Sequence, residues 1–359
     1  MRLQWSSGVL VVFLCASTLL LTNCSSNPGK PGEGGGGTTQ IIGAGSTFVY
    51  PLMSRWIADY HQKDPSVQIN YQSIGSGGGI QQLKQGLVDF GASDAALDDE
   101  KLKEMPALVQ VPETAGPVCI TYNLPQLKEP LKLSAKTLSG IYMGTIKNWQ
   151  DADIKRENPG VSLPKQDIVV VHRSDGSGTS NIFTTYLAAV NPEWNKKVGK
   201  GLSVAWPLGI GGKGSEGVTG LVKQNPGAIG YVELTYALEN KLPVVQMENK
   251  AGKFVAPTAA GASAAIDANS AELQKDVRTP IVDPPASAPE AYPISGLTFL
   301  LVPITPKDMT KGAKTKDFIE YLITTGQGAT EELHYSKLPD SLVKIDQGLL
   351  DKVQPTGQH

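Results

Sequence analysis

The sequence predicts an α/β fold of two domains with open sheets. Short apolar strands, such as residues 67–71 and 168–171, alternate with segments of helical periodicity, an order typical of α/β layers. About 320 residues follow the Gly-rich leader, which is more than one small core accommodates. Segments rich in Pro and Gly at 111–117 and 283–293 are the expected crossings between the domains.

The N-terminus has the outline of a bacterial lipoprotein signal. Arg2 precedes an uncharged apolar run over 9–21, and Leu-Thr-Asn follows directly before Cys24. This run is too short to span a bilayer. We expect a signal peptide over 1–23, lipid attachment at Cys24 and a flexible Gly/Pro/Ser tether over 24–39. An ordinary secretory signal cleaved nearby is the alternative, because Asn23 is unusual before a lipidated cysteine.

Two glycine-lined turns come first along the folded chain. Residues 43–48 read Gly-Ala-Gly-Ser-Thr-Phe, and residues 74–79 read Ile-Gly-Ser-Gly-Gly-Gly. Each turn leads into apolar residues that share one helical face: Met53, Trp56, Ile57 and Tyr60, then Ile80, Leu83 and Leu87. A helix start offers unpaired N–H donors and the positive end of the helix dipole. Either turn alone is equally typical of a plain loop with an N-cap serine.

Asp94 lies in the next motif, residues 88–95, in which a strand runs into a turn of small residues. An aspartate in such a turn usually caps it. Beside an anion, however, an ionised carboxylate only accepts hydrogen bonds, so it favours an anion that still carries a proton. Phosphate carries a proton near neutral pH and sulfate does not. Asp94 is therefore the carboxylate that indicates a choice between anions.

The most specific motif is the turn 175–180, Asp-Gly-Ser-Gly-Thr-Ser, between the strand 169–173 and another helical pattern. Ser177 and Thr179 add hydroxyl donors to the helix start, and Arg173 adds a planar guanidinium that matches oxyanion geometry. Three such helix starts in one chain favour a single shared anion site over three separate loops with N-cap residues.

Charge and cysteine usage exclude several classes of function. The chain has a net charge of −2, which becomes about −3 without the leader, so the basic excess of a nucleic-acid binder is missing. Anion recognition is therefore expected to be local. Cys119, within an apolar strand pattern, is expected to be a buried core residue rather than part of a disulfide. The histidines show no metal-binding spacing, and no metal site is expected.

The glycine-rich turns do not fit the nucleophile elbow or the P-loop motif of enzymes. No serine stands in a Gly-x-Ser-x-Gly elbow, and Gly212-Lys213 lacks the Ser/Thr and the leading Gly of a P-loop. Residues 209–214 match Gly-x-Gly-x-x-Gly, with Glu233 about 20 residues on, so a dinucleotide site is an alternative. A lone match is weak, and an exported lipoprotein has little access to nicotinamide cofactors. We expect no catalysis and no cofactor.

Together these motifs resemble the phosphate-binding protein of bacterial high-affinity phosphate ABC transporters. The resemblance covers nearly all of the chain after the tether and rests on residues 43–48, 74–79, 89–94, 173–180, 211–214, 226–233 and 338–341. It implies a type II periplasmic-binding-protein fold with two lobes, each a mixed sheet flanked by helices, and the ligand in the cleft between them. Lobe I would comprise 40–113 plus 296–359, and lobe II would comprise 114–295.

The resemblance also implies roles for individual residues. Arg173 would supply the one cationic side chain, Asp175 would orient it, and Asp94 would accept the phosphate proton. The hydrogen-bond donors to phosphate would be Thr47, Phe48, Ser76, Ser177, Gly178 and Thr179. Ser46 and Gly77 depart from the family, which often has alanine and serine there, and neither is a principal ligand.

The implied partners are inorganic phosphate, an ABC permease with its ATPase pair, and a membrane reached through lipid on Cys24. The protein would be a monomer of the cell envelope, in the periplasm or on the outer face of the membrane, and would not bind nucleic acid. Three alternatives remain open. They are a receptor for sulfate, molybdate or tungstate, an enzyme such as a phosphatase, and a surface sensor or adhesin that serves no transporter.

Overall fold

The computed structural model describes residues 38–354, so the predicted signal peptide, Cys24 and all but the last two residues of the tether lie outside the described residues. Within this range the strands are β1 (Thr39–Gly45), β2 (Val67–Ser73), β3 (Phe90–Ser93), β4 (Leu108–Tyr122), β5 (Lys132–Leu133), β6 (Val169–Arg173), β7 (Ile210–Gly212), β8 (Ala228–Glu233), β9 (Gln246–Glu248), β10 (Phe254–Val255) and β11 (Ser295–Pro303).

The α-helices in the same range are α1 (Tyr50–Lys63), α2 (Ser76–Lys84), α3 (Asp99–Leu102), α4 (Ala135–Met143), α5 (Ala152–Glu157), α6 (Gly178–Val190), α7 (Pro192–Lys197), α8 (Gly214–Gln224), α9 (Leu234–Glu239), α10 (Ala259–Ala268), α11 (Ser270–Lys275), α12 (Met309–Ile323) and α13 (Asp340–Leu350). Two short 3₁₀ helices lie at Thr325–Ala329 and Glu331–Leu333. None of the described helices is long and apolar enough to cross a membrane.

The central sheet is mixed and has eight strands in the order β2-β1-β3-β11-β4-β8-β6-β7. At one end β1 pairs in parallel with β2 and β3, and at the other end β6 pairs in parallel with β7 and β8. The antiparallel strands β4 and β11 lie between these two parallel sets. Three short strands form a second sheet in the order β10-β9-β5. The α/β prediction is confirmed.

Strand β4 joins the two halves of the sheet. It pairs with β11 over residues 108–117 and with β8 over 118–122. The Pro- and Gly-rich segment 111–117, the expected crossing between the domains, lies inside this buried strand. Its register with β11 shifts, because Thr298 faces Thr114 while Phe299 faces Pro112, which leaves Glu113 as the extra residue of a bulge.

The three glycine-lined turns lead into helices, as the sequence predicts. Helix α1 begins at Tyr50, α2 at Ser76 and α6 at Gly178. Gly75, directly before α2, has φ of 85°, a conformation that favours glycine. One detail of the prediction is wrong: α2 ends at Lys84, and Leu87, which the periodicity assigns to its apolar face, is 61% exposed.

Packing around β6 and α6 fixes the position of the third turn. The rings of Phe183 on α6 and Tyr231 on β8 stack with their centroids 4.3 Å apart, and Tyr142 on α4 meets Phe183 edge-on at 4.7 Å. All three side chains are buried. Contacts of this kind hold a helix start against the end of its preceding strand, so the turn 175–180 is attached to a rigid core. Cys119 is buried in β4 as predicted.

Candidate anion-binding site

The three helix starts converge on one buried place in the fold. The Gly178 N–H, at the start of α6, donates to the Ser76 hydroxyl at the start of α2 over 3.1 Å. The Thr179 hydroxyl donates to Asp94 Oδ2 at 3.1 Å, and the Ser46 hydroxyl donates to Asp94 Oδ1. These five residues come from four separate parts of the chain, and all are buried. The structure therefore brings the predicted turns together.

Asp94 follows β3 and is 4% exposed. Burial raises the pKa of its carboxyl to about 6, although hydrogen bonds from Ser46 and Thr179 and the charge of Arg173 act in the opposite direction. At neutral pH the carboxyl is thus mainly ionised, and an ionised carboxylate can only accept hydrogen bonds. A buried acceptor placed at the N-terminus of α6 discriminates among anions by whether they carry a proton.

Arg173 is the only lysine or arginine that is buried within residues 38–354. Its Nε donates to Asp175 Oδ1 at 2.8 Å and its Nη2 donates to Asp175 Oδ2 at 2.6 Å, a bidentate pair. Burial disfavours the charged guanidinium, but the hydrogen bonds and charge of Asp175 outweigh it and raise the pKa of Arg173 further. The pairing leaves the Nη1 hydrogens for another acceptor.

Asp175 is fixed from a second side. Its Oδ1 also accepts the backbone N–H of Gly214, the first residue of α8, at 3.0 Å. Burial alone would raise the pKa of this carboxyl, but Arg173 and the Gly214 N–H lower it overall. A Cβ on Gly75 would lie 2.3 Å from Asp175 Oδ2, so only glycine leaves room for the pair at the start of α2.

The start of α6 is capped by Ser177, whose Oγ accepts the Ser180 N–H at 3.1 Å. That bond uses the oxygen as an acceptor and keeps the hydroxyl hydrogen available for donation. Gly178 lies so close to its neighbours that a Cβ would fall 2.6 Å from both the Asp94 nitrogen and Ser76 Oγ. The turn thus combines a hydroxyl donor with close backbone approach, the two properties that an anion site needs.

The first loop is held by three tyrosine hydroxyls that donate to three successive carbonyls. The acceptor carbonyls belong to Ser46, Thr47 and Phe48, at 2.8, 2.6 and 2.6 Å. The donors come from distant parts of the chain, namely Tyr71, Tyr236 and Tyr335. The Ser46 N–H donates to the Ala92 carbonyl, which leaves the N–H groups of Thr47 and Phe48 for other acceptors. The Phe48 ring is buried against Tyr335, so any contribution it makes to a site comes from its backbone.

The Thr47 side chain is paired across the site. Its Oγ1 lies 2.9 Å from Ser215 Oγ and accepts the Ser215 N–H at 3.3 Å. The first N–H groups of α8, at Gly214 and Ser215, are therefore directed to Asp175 and Thr47. These are the donors that a pyrophosphate would need at the Gly-x-Gly-x-x-Gly segment, and this use of them argues against the dinucleotide alternative.

The predicted phosphate ligands and Asp175 all lie in this region, whereas Cys24 lies outside the described residues; sequence reasoning missed several residues that complete the region. Ser46 is not among the predicted ligands, yet its hydroxyl contacts Asp94. The loop-holding tyrosines and the start of α8 were also missed. Their positions are fixed by tertiary contacts between residues far apart in sequence, for which one sequence carries no signal. No cluster that could hold a metal ion occurs among the described residues.

Comparison with known proteins places the chain in a family. A family model described as the PBP superfamily domain matches residues 32–325. The phosphate-binding protein PstS of Xylella fastidiosa (strain Temecula1) is 45% identical over 309 residues, which cover 86% of this chain and 84% of that protein. The phosphate-binding protein PstS of Haemophilus influenzae is 40% identical over 304 residues, covering 84% of this chain and 90% of that protein.

A solved structure shares the fold. The high-affinity periplasmic phosphate-binding protein PfluDING, bound with phosphate at pH 8.5, superposes with a TM-score of 0.69 and 23% identity, covering 86% of this chain and 93% of that one. At this level of identity the likeness concerns the fold alone. It agrees with the two-lobed, type II periplasmic-binding-protein architecture that the family resemblance implies. From the family model and the two relatives together, the chain belongs to the phosphate-binding protein PstS family of the PBP superfamily.

Proposed function

We propose that this protein binds inorganic phosphate between two closing lobes and delivers it to an ABC permease for import. The observation that carries the proposal is a buried, proton-accepting carboxylate, Asp94, placed among the donors of three helix starts with one buried cation, Arg173. A site of this composition fits an oxyanion that carries a proton near neutral pH. The names of the relatives, phosphate-binding protein PstS, agree with this choice.

In the proposed complex, hydroxyl and backbone donors surround the phosphate oxygens, and Arg173 neutralises part of its charge. Asp175 keeps the guanidinium in place, and Asp94 accepts the phosphate proton. The proposed donors are Thr47, Phe48, Ser76, Ser177, Gly178 and Thr179. A fully ionised anion such as sulfate, molybdate or tungstate would place an unprotonated oxygen against the Asp94 carboxylate. Both groups only accept hydrogen bonds, so in a buried site this arrangement disfavours binding of the anion.

The lobes of the proposed mechanism are residues 40–113 plus 296–359 and residues 114–295. The long strands β4 and β11 run between the two halves of the sheet and suit a hinge. The polar contacts that would cross the cleft include those of Ser76 with Gly178, of Asp94 with Thr179, and of Thr47 with Ser215. Because each lobe supplies some donors, phosphate would contact all of them only in the closed state and would favour closure.

The proposed setting is the cell envelope. We propose export by the N-terminal signal, lipid attachment at Cys24, and action as a monomer without turnover of its ligand. Metabolic labelling with a palmitate analogue should tag the full chain and leave Cys24→Ser unlabelled. Labelling of Cys24→Ser, or no labelling of the full chain, would contradict lipid attachment at Cys24. Neither result would bear on the proposal that the protein binds phosphate.

A calorimetric titration tests the ligand. The protein from residue 38 onward, stripped of bound anion, is titrated with phosphate and then with sulfate at neutral pH. We expect saturable 1:1 phosphate binding and no sulfate heat. Sulfate binding, or no phosphate binding by protein whose circular dichroism shows it folded, would overturn the proposal. A chromogenic phosphate ester should not be hydrolysed, and hydrolysis would favour the phosphatase alternative.

A further inference from the structure

Ser46 makes a contact that its position in the first loop does not require. Its carbonyl accepts from Tyr71 and its backbone N–H donates to the Ala92 carbonyl, so the loop is held by its backbone. The side chain adds a separate contact, the donation from Ser46 Oγ to Asp94 Oδ1. Ser46 has no exposed surface, so water does not compete for the hydroxyl.

The direction of this hydrogen bond follows from what else the hydroxyl does. Ser46 Oγ also accepts the Val49 N–H, at 3.4 Å. With a lone pair directed to that N–H, the hydroxyl hydrogen is free to point at the carboxylate, which at neutral pH only accepts. The other oxygen of Asp94 receives the Thr179 hydroxyl. Each oxygen of the carboxylate therefore has a hydroxyl donor, one from each side of the site.

We propose that Ser46 is a specificity-determining residue, which holds Asp94 ionised and acceptor-only so that the site rejects fully ionised oxyanions at mildly acidic pH. The proposal rests on the phosphate-binding function proposed above. If Asp94 took up a proton, it would become a hydrogen-bond donor and would suit sulfate. A hydrogen bond donated to the ionised carboxylate stabilises that form, so Asp94 takes up its proton only at a lower pH.

Several charged or titratable groups near Asp94 also affect its ionisation. Arg173 favours the ionised form of Asp94 by its charge, and the charge of Asp94 in turn raises the pKa of Glu113 on β4. Tyr71 on β2 and Asp94 likewise disfavour joint ionisation. Arg278, which lines a small cleft with Asp94, is occupied by Asp276 and Asp99. Against burial, Ser46 supplies the largest of the effects that lower the pKa of Asp94.

The test compares the wild type with Ser46→Ala over pH 5 to 8. Ser139→Ala is the matched control, because Ser139 is also a buried serine but its hydroxyl donates to a backbone carbonyl on α4. The ratio of sulfate to phosphate affinity is measured by calorimetry at each pH. We expect the pH at which sulfate begins to bind to rise by about one unit in Ser46→Ala, a tenfold change in proton affinity, and to stay unchanged in Ser139→Ala.

Two further measurements separate this role from a structural one. In an Asp94→Asn background the Ser46→Ala change should leave the pH profile unmoved, since Ser46 acts through the carboxylate. The ¹³C resonance of the Asp94 carboxyl, assigned by its loss in Asp94→Asn, should titrate at higher pH in ligand-free Ser46→Ala than in the wild type.

Coincident wild-type and Ser46→Ala titrations, or a shift that persists without Asp94, would overturn the role of Ser46. Failure of the wild type to bind phosphate would overturn the proposed function instead. The carboxyl titration needs no ligand, so the effect of Ser46 on Asp94 can be judged even in that case.

Discussion

The Gly178 N–H donates to the Ser76 hydroxyl at 3.1 Å and so joins the starts of two helices that lie 102 residues apart in the chain. The contact requires close approach, because a Cβ on Gly178 would lie 2.6 Å from Ser76 Oγ. Backbone packing at this point therefore decides whether the donors of α2 and α6 meet. Its consequences can be tested by small changes to the residues involved.

The substitution Gly178→Ala should reduce phosphate affinity at least tenfold. The added methyl group cannot fit between Asp94 and Ser76 while the site is closed, so the starts of α2 and α6 must separate. Gly220→Ala on α8 is the matched control, because a Cβ there meets nothing within 4 Å. That control should bind as the wild type does and gain about 0.5–1 kcal/mol in the free energy of unfolding. Normal affinity in Gly178→Ala would show that the site tolerates wider spacing.

Asp94→Asn should narrow the gap between phosphate and sulfate affinity by tenfold or more. The amide can donate a hydrogen bond where the carboxylate only accepts, so an unprotonated anion is no longer opposed. Asp98→Asn changes an exposed carboxylate nearby and should leave both affinities unchanged. Competition calorimetry at neutral pH gives the ratio. Full retention of selectivity in Asp94→Asn would remove Asp94 from its proposed role.

Arg173→Lys should weaken phosphate binding by about 10- to 100-fold, in line with about 1.5–3 kcal/mol for hydrogen bonds to charged groups. Lysine keeps the charge but cannot form the bidentate pair with Asp175 that fixes the guanidinium. Arg156→Lys, at an exposed ion pair with Asp153, is the control and should bind normally. Equal phosphate affinities in the two variants would mean that a positive charge at residue 173 suffices for binding, without the bidentate pair to Asp175.

Tyr236→Phe should weaken phosphate binding by about 3- to 10-fold, because it removes a hydrogen bond to the Thr47 carbonyl in the first loop. The change removes one oxygen and leaves the ring, so the fold should be kept. Tyr50→Phe alters a partly exposed tyrosine and serves as control. Small-angle X-ray scattering with saturating phosphate should show the same compact form for both variants, whereas an open form in Tyr236→Phe alone would indicate a larger role in closure.

The free energy of unfolding should fall as pH rises from about 4 to about 8. Burial raises the pKa of Asp346 to about 8, and both of its carboxyl oxygens are buried without a partner among the described residues. Between its unfolded and folded pKa values the folded state binds a proton that the unfolded state has released, so stability declines across that window and is level outside it.

Asp346→Asn removes this titration and should flatten the slope by as much as about 1.4 kcal/mol per pH unit. Urea unfolding at pH 5 and pH 8 measures the difference, and Asp340→Asn, at the exposed start of the same helix, should not alter it. Some slope should remain, because burial raises the pKa of Glu113 and of Glu233 to about 8 as well. An unchanged slope in Asp346→Asn would show that Asp346 does not titrate in this range.

Much of this protein could be predicted from local sequence alone. Apolar periodicity and glycine-lined turns placed the starts of α1, α2 and α6, because helix formation and capping depend on neighbouring residues. The turn 175–180 and Arg173 indicate an anion by their residue types and spacing. Where local rules competed with tertiary packing the prediction was less accurate: the apolar periodicity extends α2 to Leu87, but the helix ends at Lys84 and Leu87 is 61% exposed.

Only the tertiary structure decided which groups meet. The Ser46 hydroxyl is brought to Asp94, three tyrosines are brought to successive carbonyls of the first loop, and the start of α8 is brought to Asp175. These contacts depend on the strand order of the central sheet and on side-chain packing between distant segments. A single sequence determined the kinds of donor and acceptor that this protein offers, because those are properties of residue types in local turns. It could not determine their arrangement in space, because hydrogen bonds over a few ångströms are set by the packing of the whole chain.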